Sequence, residues 1–172
     1  MTIKFTLLGT GSSMGVPRAD GFFGNCNPKN PKNLRTRCSA LISANKSNTL
    51  IDTSPDLRAQ LLSQKIKSID RVLYTHMHAD QTHGINDLRI FYLKNKKKIP
   101  VYADLNTSRY LKKTFSYCFK KTYDYPAILE LKSLKKNFNI GKKKKPINIK
   151  SIAVKHGSID SIAYIINKKV AY

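Results

Sequence analysis

The chain has 172 residues and carries 32 Lys and Arg against 10 Asp and Glu, a formal net charge of +22. This length suits one domain, residues 1–172, with a sizeable core, and no apolar run is long enough to span a membrane. No basic-then-apolar leader begins the chain, and three cysteines without close pairing argue against a disulfide framework. We therefore expect a single-domain protein of the reducing cytoplasm.

The strong positive charge has two explanations. Clustered cations favour a nucleic-acid or phosphate partner and would draw an anionic substrate toward the site. The alternative is compositional, because Lys, Asn and Ile are all abundant, as an AT-rich genome produces. The Lys-rich runs 94–98 and 142–145 contain no interleaved aromatic residues of the kind that single-strand binders use, which favours solvated loops.

The N-terminal segment predicts a strand followed by a glycine-rich turn. Residues 3–7 alternate apolar and polar side chains, which is typical of a half-buried strand. In the turn over 9–18, the glycines permit tight backbone paths, and Ser12 and Ser13 with exposed amides are candidates for holding a phosphate. A plain glycine turn is the alternative, because the segment lacks the Lys-Ser/Thr pair of a P-loop.

A long irregular loop over 24–39 follows, and loops of this length are usually functional or disordered. Within it, Arg35 and Arg37 are candidates for a bidentate phosphate clamp. Short strands are then predicted at 40–42 and 49–52. A helix follows them, with Ser54 suited to its N-cap. Its buried stripe is predicted to consist of Leu57, Leu61, Leu62 and Ile66.

Three of the four histidines and one carboxylate fall in the stretch 75–84. The apolar run 71–74 before it predicts a buried strand, and apolar residues at helical spacing follow over 85–93. The histidines therefore lie on a strand-to-helix loop, where open α/β sheets bind ligands. Imidazole and carboxylate are ligands that hold zinc or manganese while leaving positions open for water. His76 and His78 can share one metal, and Asp80 can face a second.

The rest of the chain predicts a mixed α/β sheet with helices outside it. A strand at 99–102 precedes a helix that is capped by Asn106 or Thr107 and reaches residue 119. Further strands are predicted at 127–131, 138–140, 147–154, 161–166 and 169–172. The strand over 147–154 leads to His156, a candidate for a further metal ligand.

The histidine stretch resembles the His-x-His-x-Asp-His motif of the metallo-β-lactamase fold superfamily, with matches at His76, His78 and Asp80 and a departure at Gln81. Together with Gly9-Thr10-Gly11-Ser12-Ser13 and the loop bearing cysteine and arginine, it looks like the PhnP-like branch, the phosphoribosyl cyclic phosphodiesterases. The resemblance implies an α/β fold, a metallo-β-lactamase-like αββα sandwich. The chain would form its N-terminal portion, with the second half incomplete.

The resemblance also implies roles for individual residues. The three histidines His76, His78 and His156 would bind a first zinc, with manganese as the alternative metal, and Asp80 would be the catalytic carboxylate on a second ion. Asp52 would orient the metal loop by hydrogen bonds, although a helix-capping role fits it nearly as well. Gln81 and His83 remain candidates for an extra metal or substrate contact. Because only Cys26 lies near the expected place, no structural zinc is predicted, and Cys26, Cys38 and Cys118 are expected to be free thiols.

The implied activity is metal-assisted hydrolysis of a small phosphodiester of the cyclic ribose phosphate type. Two alternatives remain: a transfer-RNA 3′-processing nuclease of the same superfamily, and a non-catalytic basic remnant that binds nucleic acid. Because the family's later motifs are not found, we expect little activity from this chain alone. We also expect that a complementing C-terminal polypeptide or a second copy of the chain completes the fold.

Overall fold

A computed structural model describes residues 2–141 and 146–172, so the Lys-rich run 142–145 lies outside the described residues. Within these ranges the strands form two sheets, one in the order β1-β2-β3-β4-β5-β6 and one in the order β10-β9-β8-β7. The strands are β1 Ile3–Gly9, β2 Ser39–Ala44, β3 Ser47–Ile51, β4 Arg71–Leu73, β5 Ile99–Ala103, β6 Leu129–Ser133, β7 Asn137–Ile140, β8 Ile147–His156, β9 Ile159–Ile166 and β10 Val170–Ala171.

The helices of the described residues all precede residue 120. They are α1 Leu57–Ser63, α2 Ala79–Thr82, α3 Arg89–Asn95, α4 Leu105–Thr114 and α5 Ser116–Phe119. Short 3₁₀ turns cover Pro31–Asn33 and Ile85–Leu88. None of the helices in the described ranges has the length and hydropathy that a membrane span requires.

The direction of the strands brings the functional loops together. Strands β1, β2 and β3 pair antiparallel, whereas β3, β4, β5 and β6 are parallel. The second sheet is antiparallel throughout. Because parallel strands end at the same edge of a sheet, the loops after β3, β4 and β5 meet there.

Alternation along the strands separates two apolar cores. In β2, Leu41 belongs to the cluster that packs under the helices, while its neighbours Ala40 and Ile42 belong to the cluster between the sheets. This is the two-residue period of a strand buried on both faces. The result is a layer of helices, the first sheet and the second sheet, the mixed α/β arrangement that the sequence predicts.

The helix starts differ from the predictions. The first helix begins at Leu57, and Ser54 belongs to the turn before it, where its hydroxyl accepts a hydrogen bond from the Asp56 N–H at 3.1 Å. Leu62, predicted to be buried, is 61% exposed, because the short helix buries only the side that carries Leu57 and Leu61. For α4, the cap is Asp104, which accepts from the Thr107 N–H at 2.6 Å.

Candidate metal centre

Three imidazole rings converge at the carboxyl edge of the first sheet. His76 and His78 follow β4, and His156 is the last residue of β8 in the second sheet. One ligand nitrogen from each ring lies within 4.8 Å of the other two. His76 is 8% exposed, whereas His78 and His156 are exposed. The cluster therefore has a buried base and an open face.

The second sheet fixes the backbone of the histidine loop. The Ile162 N–H donates to the Thr75 carbonyl at 2.8 Å, and the Tyr164 hydroxyl donates to the Tyr74 carbonyl at 2.7 Å. Tyr164 is fully buried, so this hydrogen bond is made away from water and resists exchange. These bonds from β9 hold the loop beside β8, the strand that carries His156.

A hydrogen-bond chain behind His76 selects which of its nitrogens faces the open site. Asp52 is 1% exposed, and it accepts from the Thr75 N–H and from the Thr75 hydroxyl, both at 2.8 Å. Because that hydroxyl proton points to Asp52, the Thr75 oxygen accepts a hydrogen bond from the Nδ1–H of His76, 2.9 Å away. His76 Nε2 then keeps its lone pair, 3.1 Å from Nδ1 of His78.

Burial shifts the pKa values of two groups in this hydrogen-bond chain, His76 and Asp52. Burial, together with the neighbouring His78 and His156, lowers the pKa of His76 to about 4. Burial also raises the pKa of Asp52 to about 7, although the hydrogen bonds from Thr75 oppose that shift. A neutral imidazole at neutral pH is the form that binds a metal.

Thr53 fastens both ends of the histidine loop to the end of β3. Its N–H donates to the Gln81 carbonyl at 2.7 Å, and its carbonyl accepts from the Gly84 N–H at 2.8 Å. Its hydroxyl donates to the Thr82 carbonyl at 3.0 Å and lies 2.7 Å from the hydroxyl of Tyr74. The residue is fully buried, so the loop has a rigid base.

The other predicted residues of this stretch have different surroundings. Asp80 and His83 are not part of the three-nitrogen group. The Gln81 amide donates to the Asp80 carboxylate at 2.9 Å and so orients it, while the carbonyl oxygen of the same amide is buried without a hydrogen bond. The His83 ring, which follows the end of α2, packs edge-on against Phe115, with centroids 5.3 Å apart.

The phosphate candidates in the N-terminal loops have protein partners. The Nε and Nη2 of Arg37 donate to the Asp56 carboxylate, at 2.9 and 2.6 Å, and Arg35 donates to the Thr10 hydroxyl at 2.7 Å. The Asp56 carboxylate occupies one edge of the Arg37 guanidinium, and the phosphate clamp stays a prediction.

The glycine-rich turn serves close packing of the backbone. A Cβ at Gly9 would lie 2.1 Å from the Arg37 carbonyl oxygen, and one at Gly11 would lie 2.6 Å from that of Arg35. Ser12 and Ser13 are exposed, and the Ser12 hydroxyl donates to the Gly15 carbonyl at 3.3 Å. This geometry favours the plain turn over a phosphate cradle. The thiols of Cys26, Cys38 and Cys118 are free.

Removing the Asp56 carboxylate is expected to loosen this loop. The Arg37 guanidinium lowers the pKa of Asp56, so its stabilisation is present above the unfolded pKa near 3.8 and is lost as pH falls below it. Asp56→Asn should cost about 1 kcal/mol of unfolding free energy at pH 7, measured by urea denaturation. Asp20→Asn, which breaks the more exposed pair with Arg18, is the matched control and should leave the midpoint unchanged. Equal effects of both changes would contradict this account.

Two residues of the site were not predicted from the sequence. Thr75 immediately precedes His76. A hydroxyl beside a candidate metal ligand could have been predicted to orient that ligand by a hydrogen bond. Ser161 lies 85 positions from His76, yet its hydroxyl is 3.4 Å from the same Nδ1. Nothing in local sequence marks it, because only the pairing of β8 with β9 brings it there.

The arrangement fits a metal ion on its own chemistry. Three nitrogen donors face one another, the buried one is kept neutral, and a carboxylate fixes its tautomer. Residues 47–172 match the family model described as the beta-lactamase superfamily domain. The chain belongs to this superfamily.

Its relatives are longer than the chain. A PhnP-family diphosphatase of known structure is 31% identical with a TM-score of 0.81, over 96% of this chain and 62% of that one. A curated octanoyltransferase of Porphyromonas gingivalis is 32% identical over 167 residues, which are 96% of this chain and 33% of the relative. Human tRNase Z, short form, is 18% identical with a TM-score of 0.63, over 99% of this chain and 67% of that one, and so shares the fold alone.

Proposed function

We propose that this superfamily member is a zinc-dependent phosphodiesterase that acts on substrates of the cyclic ribose phosphate type. The observation that carries the proposal is the convergence of His76, His78 and His156 at an open edge of the sheet. The similarity to a PhnP-family diphosphatase supports hydrolysis at a phosphoryl group. Because the chain spans 62% of that structure, the activity of a complete enzyme is part of the proposal.

The residues of this chain would divide the work as follows. The three histidines would hold the ion, and an all-nitrogen donor set favours zinc over manganese. Zinc bound there supplies a Lewis acid that polarises a phosphoryl oxygen and activates water at neutral pH. Asp52 and Thr75 would leave the Nε2 lone pair of His76 available to the ion. We assign Asp80, which Gln81 orients, as the carboxylate that serves a second cation.

The family relatives bear unequally on the activity. The match to the curated octanoyltransferase is no evidence for acyl transfer by this chain, because the match covers only a third of that protein. The nuclease alternative shares the fold with the proposed activity, so the fold does not separate the two. The three-histidine cluster makes a metal-independent remnant the weakest of the three hypotheses.

Metal analysis tests the site. Purified chain loaded with zinc and then dialysed should retain the metal, while His76→Ala should lose it, since one of three ligands and the buried base of the site are gone. His83→Ala is the matched control, because that ring packs on Phe115 outside the cluster. Retention of zinc by His76→Ala equal to that of His83→Ala, measured by mass spectrometry, would overturn the site.

Two substrates test the reaction. Zinc-loaded protein should hydrolyse a cyclic ribose phosphate, at the low rate expected of this chain alone, and leave precursor transfer RNA uncut. The reverse pattern would support the nuclease. Nucleic-acid binding that falls steeply with salt and does not respond to zinc would instead support a basic remnant.

A further inference from the structure

Beside the histidine cluster lies a large cleft that the proposed chemistry does not use. Its volume is about 950 Å³, and its walls come from the carboxyl ends of β5 and β6, from α4, and from the adjoining parts of β8 and β9. Ligand sites commonly have volumes of about 300–1,000 Å³. The cleft is therefore large enough for a small-molecule ligand of nucleotide size.

The cleft opens next to the histidines. Ile162, one of its lining residues, donates its N–H to the Thr75 carbonyl, and the preceding residue, Ser161, contacts His76. Ala153 also lines the cleft, and three residues further along β8 the strand ends at His156. At the rise of a strand this separation is roughly 10 Å. A ligand in the cleft can therefore extend to the metal ligands.

The rim of the cleft is cationic. Lys112, Lys132, Lys136 and Lys150 line it, and Lys132 is paired with Glu130 at 2.5 Å. Within residues 2–141 and 146–172, no ion pair engages the other three lysines. Asp104 is the one acid among the described lining residues, and its carboxylate is used to cap α4. Uncompensated lysines at a concave surface attract an anion.

The floor of the cleft is apolar. Leu131, Leu134, Ile152 and Ile162 contribute to it, and together with the lysine rim they form a site with two chemical halves. A flat aromatic ring suits the floor, because apolar side chains gain by covering it. A phosphate suits the rim. Inorganic phosphate alone would leave the floor exposed, and an uncharged base alone would leave the lysines unpaired.

We propose that this cleft binds a ribose phosphate that carries an aromatic base, a nucleoside phosphate, next to the three histidines. The inference rests on the proposed function in one respect: it names the substrate class of that site. The binding itself depends on the cleft and not on the metal. Binding by zinc-free protein is therefore separable from hydrolysis.

The experiment compares two lysine triplets. Zinc-free protein is titrated with adenosine 5′-monophosphate by calorimetry, using Lys112→Ala/Lys136→Ala/Lys150→Ala as the test variant. The control, Lys94→Ala/Lys96→Ala/Lys98→Ala, removes the same charge at the opposite end of β5, away from the cleft. All six lysines are exposed, so both variants should fold, which circular dichroism verifies.

We expect the test variant to bind the nucleotide at least tenfold more weakly than the wild type, and the control to bind it within twofold. Adenosine and inorganic phosphate should each bind the wild type at least tenfold more weakly than the nucleotide. Equal weakening in both triplets would overturn the proposal, because it would show a net-charge effect. Inorganic phosphate binding as tightly as the nucleotide would overturn it as well. Hydrolysis is tested separately with a 2′,3′-cyclic nucleotide, which has the phosphodiester that adenosine 5′-monophosphate lacks. Nucleotide binding without cleavage of that diester by the zinc-loaded protein would sustain the cleft and overturn the reaction.

Discussion

Gly84→Ala is expected to lower the unfolding free energy by about 3 kcal/mol or more, the upper end of the cost of overpacking. An alanine Cβ there would lie 1.9 Å from the Ser54 carbonyl oxygen and 2.9 Å from the Leu57 Cβ. The first neighbour is backbone in the turn before α1, the second belongs to the first residue of α1, and neither is the free end of a flexible side chain. The backbone must therefore move, and with it the hydrogen bond from Gly84 to Thr53 that holds the histidine loop.

Gly24→Ala is the matched control for this change. Its φ of +61° disfavours any side chain, but nothing lies within 4 Å of the added Cβ, so only the backbone cost of about 1 kcal/mol remains. Urea denaturation of both variants and zinc retention after dialysis are the measurements. If Gly84→Ala is no less stable than Gly24→Ala, the close approach of the histidine loop to α1 is wrong.

Asp52→Asn is expected to weaken zinc binding by about 10–100-fold without unfolding the protein, the usual effect of losing a group that orients a metal ligand. The amide NH₂ would face the Thr75 hydroxyl, which then turns to donate to His76 Nδ1. The His76 proton would move to Nε2, the nitrogen that faces the site. The bound ion would then have to displace that proton.

The readouts are a zinc titration and the ¹⁵N chemical shifts of the His76 ring in zinc-free protein. Thr75→Val is a second variant that removes the relay hydroxyl while Asp52 stays, and it should weaken zinc binding in the same direction. Zinc affinity unchanged in both variants, with the Nδ1-protonated tautomer retained, would contradict the relay.

Asp52→Asn also tests whether the Asp52 side chain is ionised in the folded protein. Its folded pKa of about 7 lies above its ordinary value of 3.8, so folding binds a proton between these limits and the stability contribution is lost as pH rises through them. Asp52→Asn removes this dependence. Relative to the variant, the wild type should therefore lose stability from pH 4 to pH 7, as measured by thermal unfolding at each pH. A constant difference would show that Asp52 is ionised throughout.

Much of the fold was predictable because local patterns decide it. The strand over Arg71–Leu73 and the helical spacing after it place His76 and His78 on a loop, and the structure confirms both elements. The starts of α1 and α4 were not predictable in the same way. Several Ser, Asn, Thr and Asp residues are competent caps, and Asp56 is recruited by Arg37, 19 positions earlier.

By itself, the sequence determined the α/β class, the histidine loop and the residues that are able to bind a metal, because each depends on neighbours within a few positions. Only the tertiary structure decided which of them meet. Pairing of β8 with β9, and the bonds from β9 to the loop, bring His156 to His76 across 80 positions. The same tertiary structure pairs Arg37 with Asp56 and packs His83 against Phe115. Such contacts depend on packing between distant segments, and no local pattern encodes them.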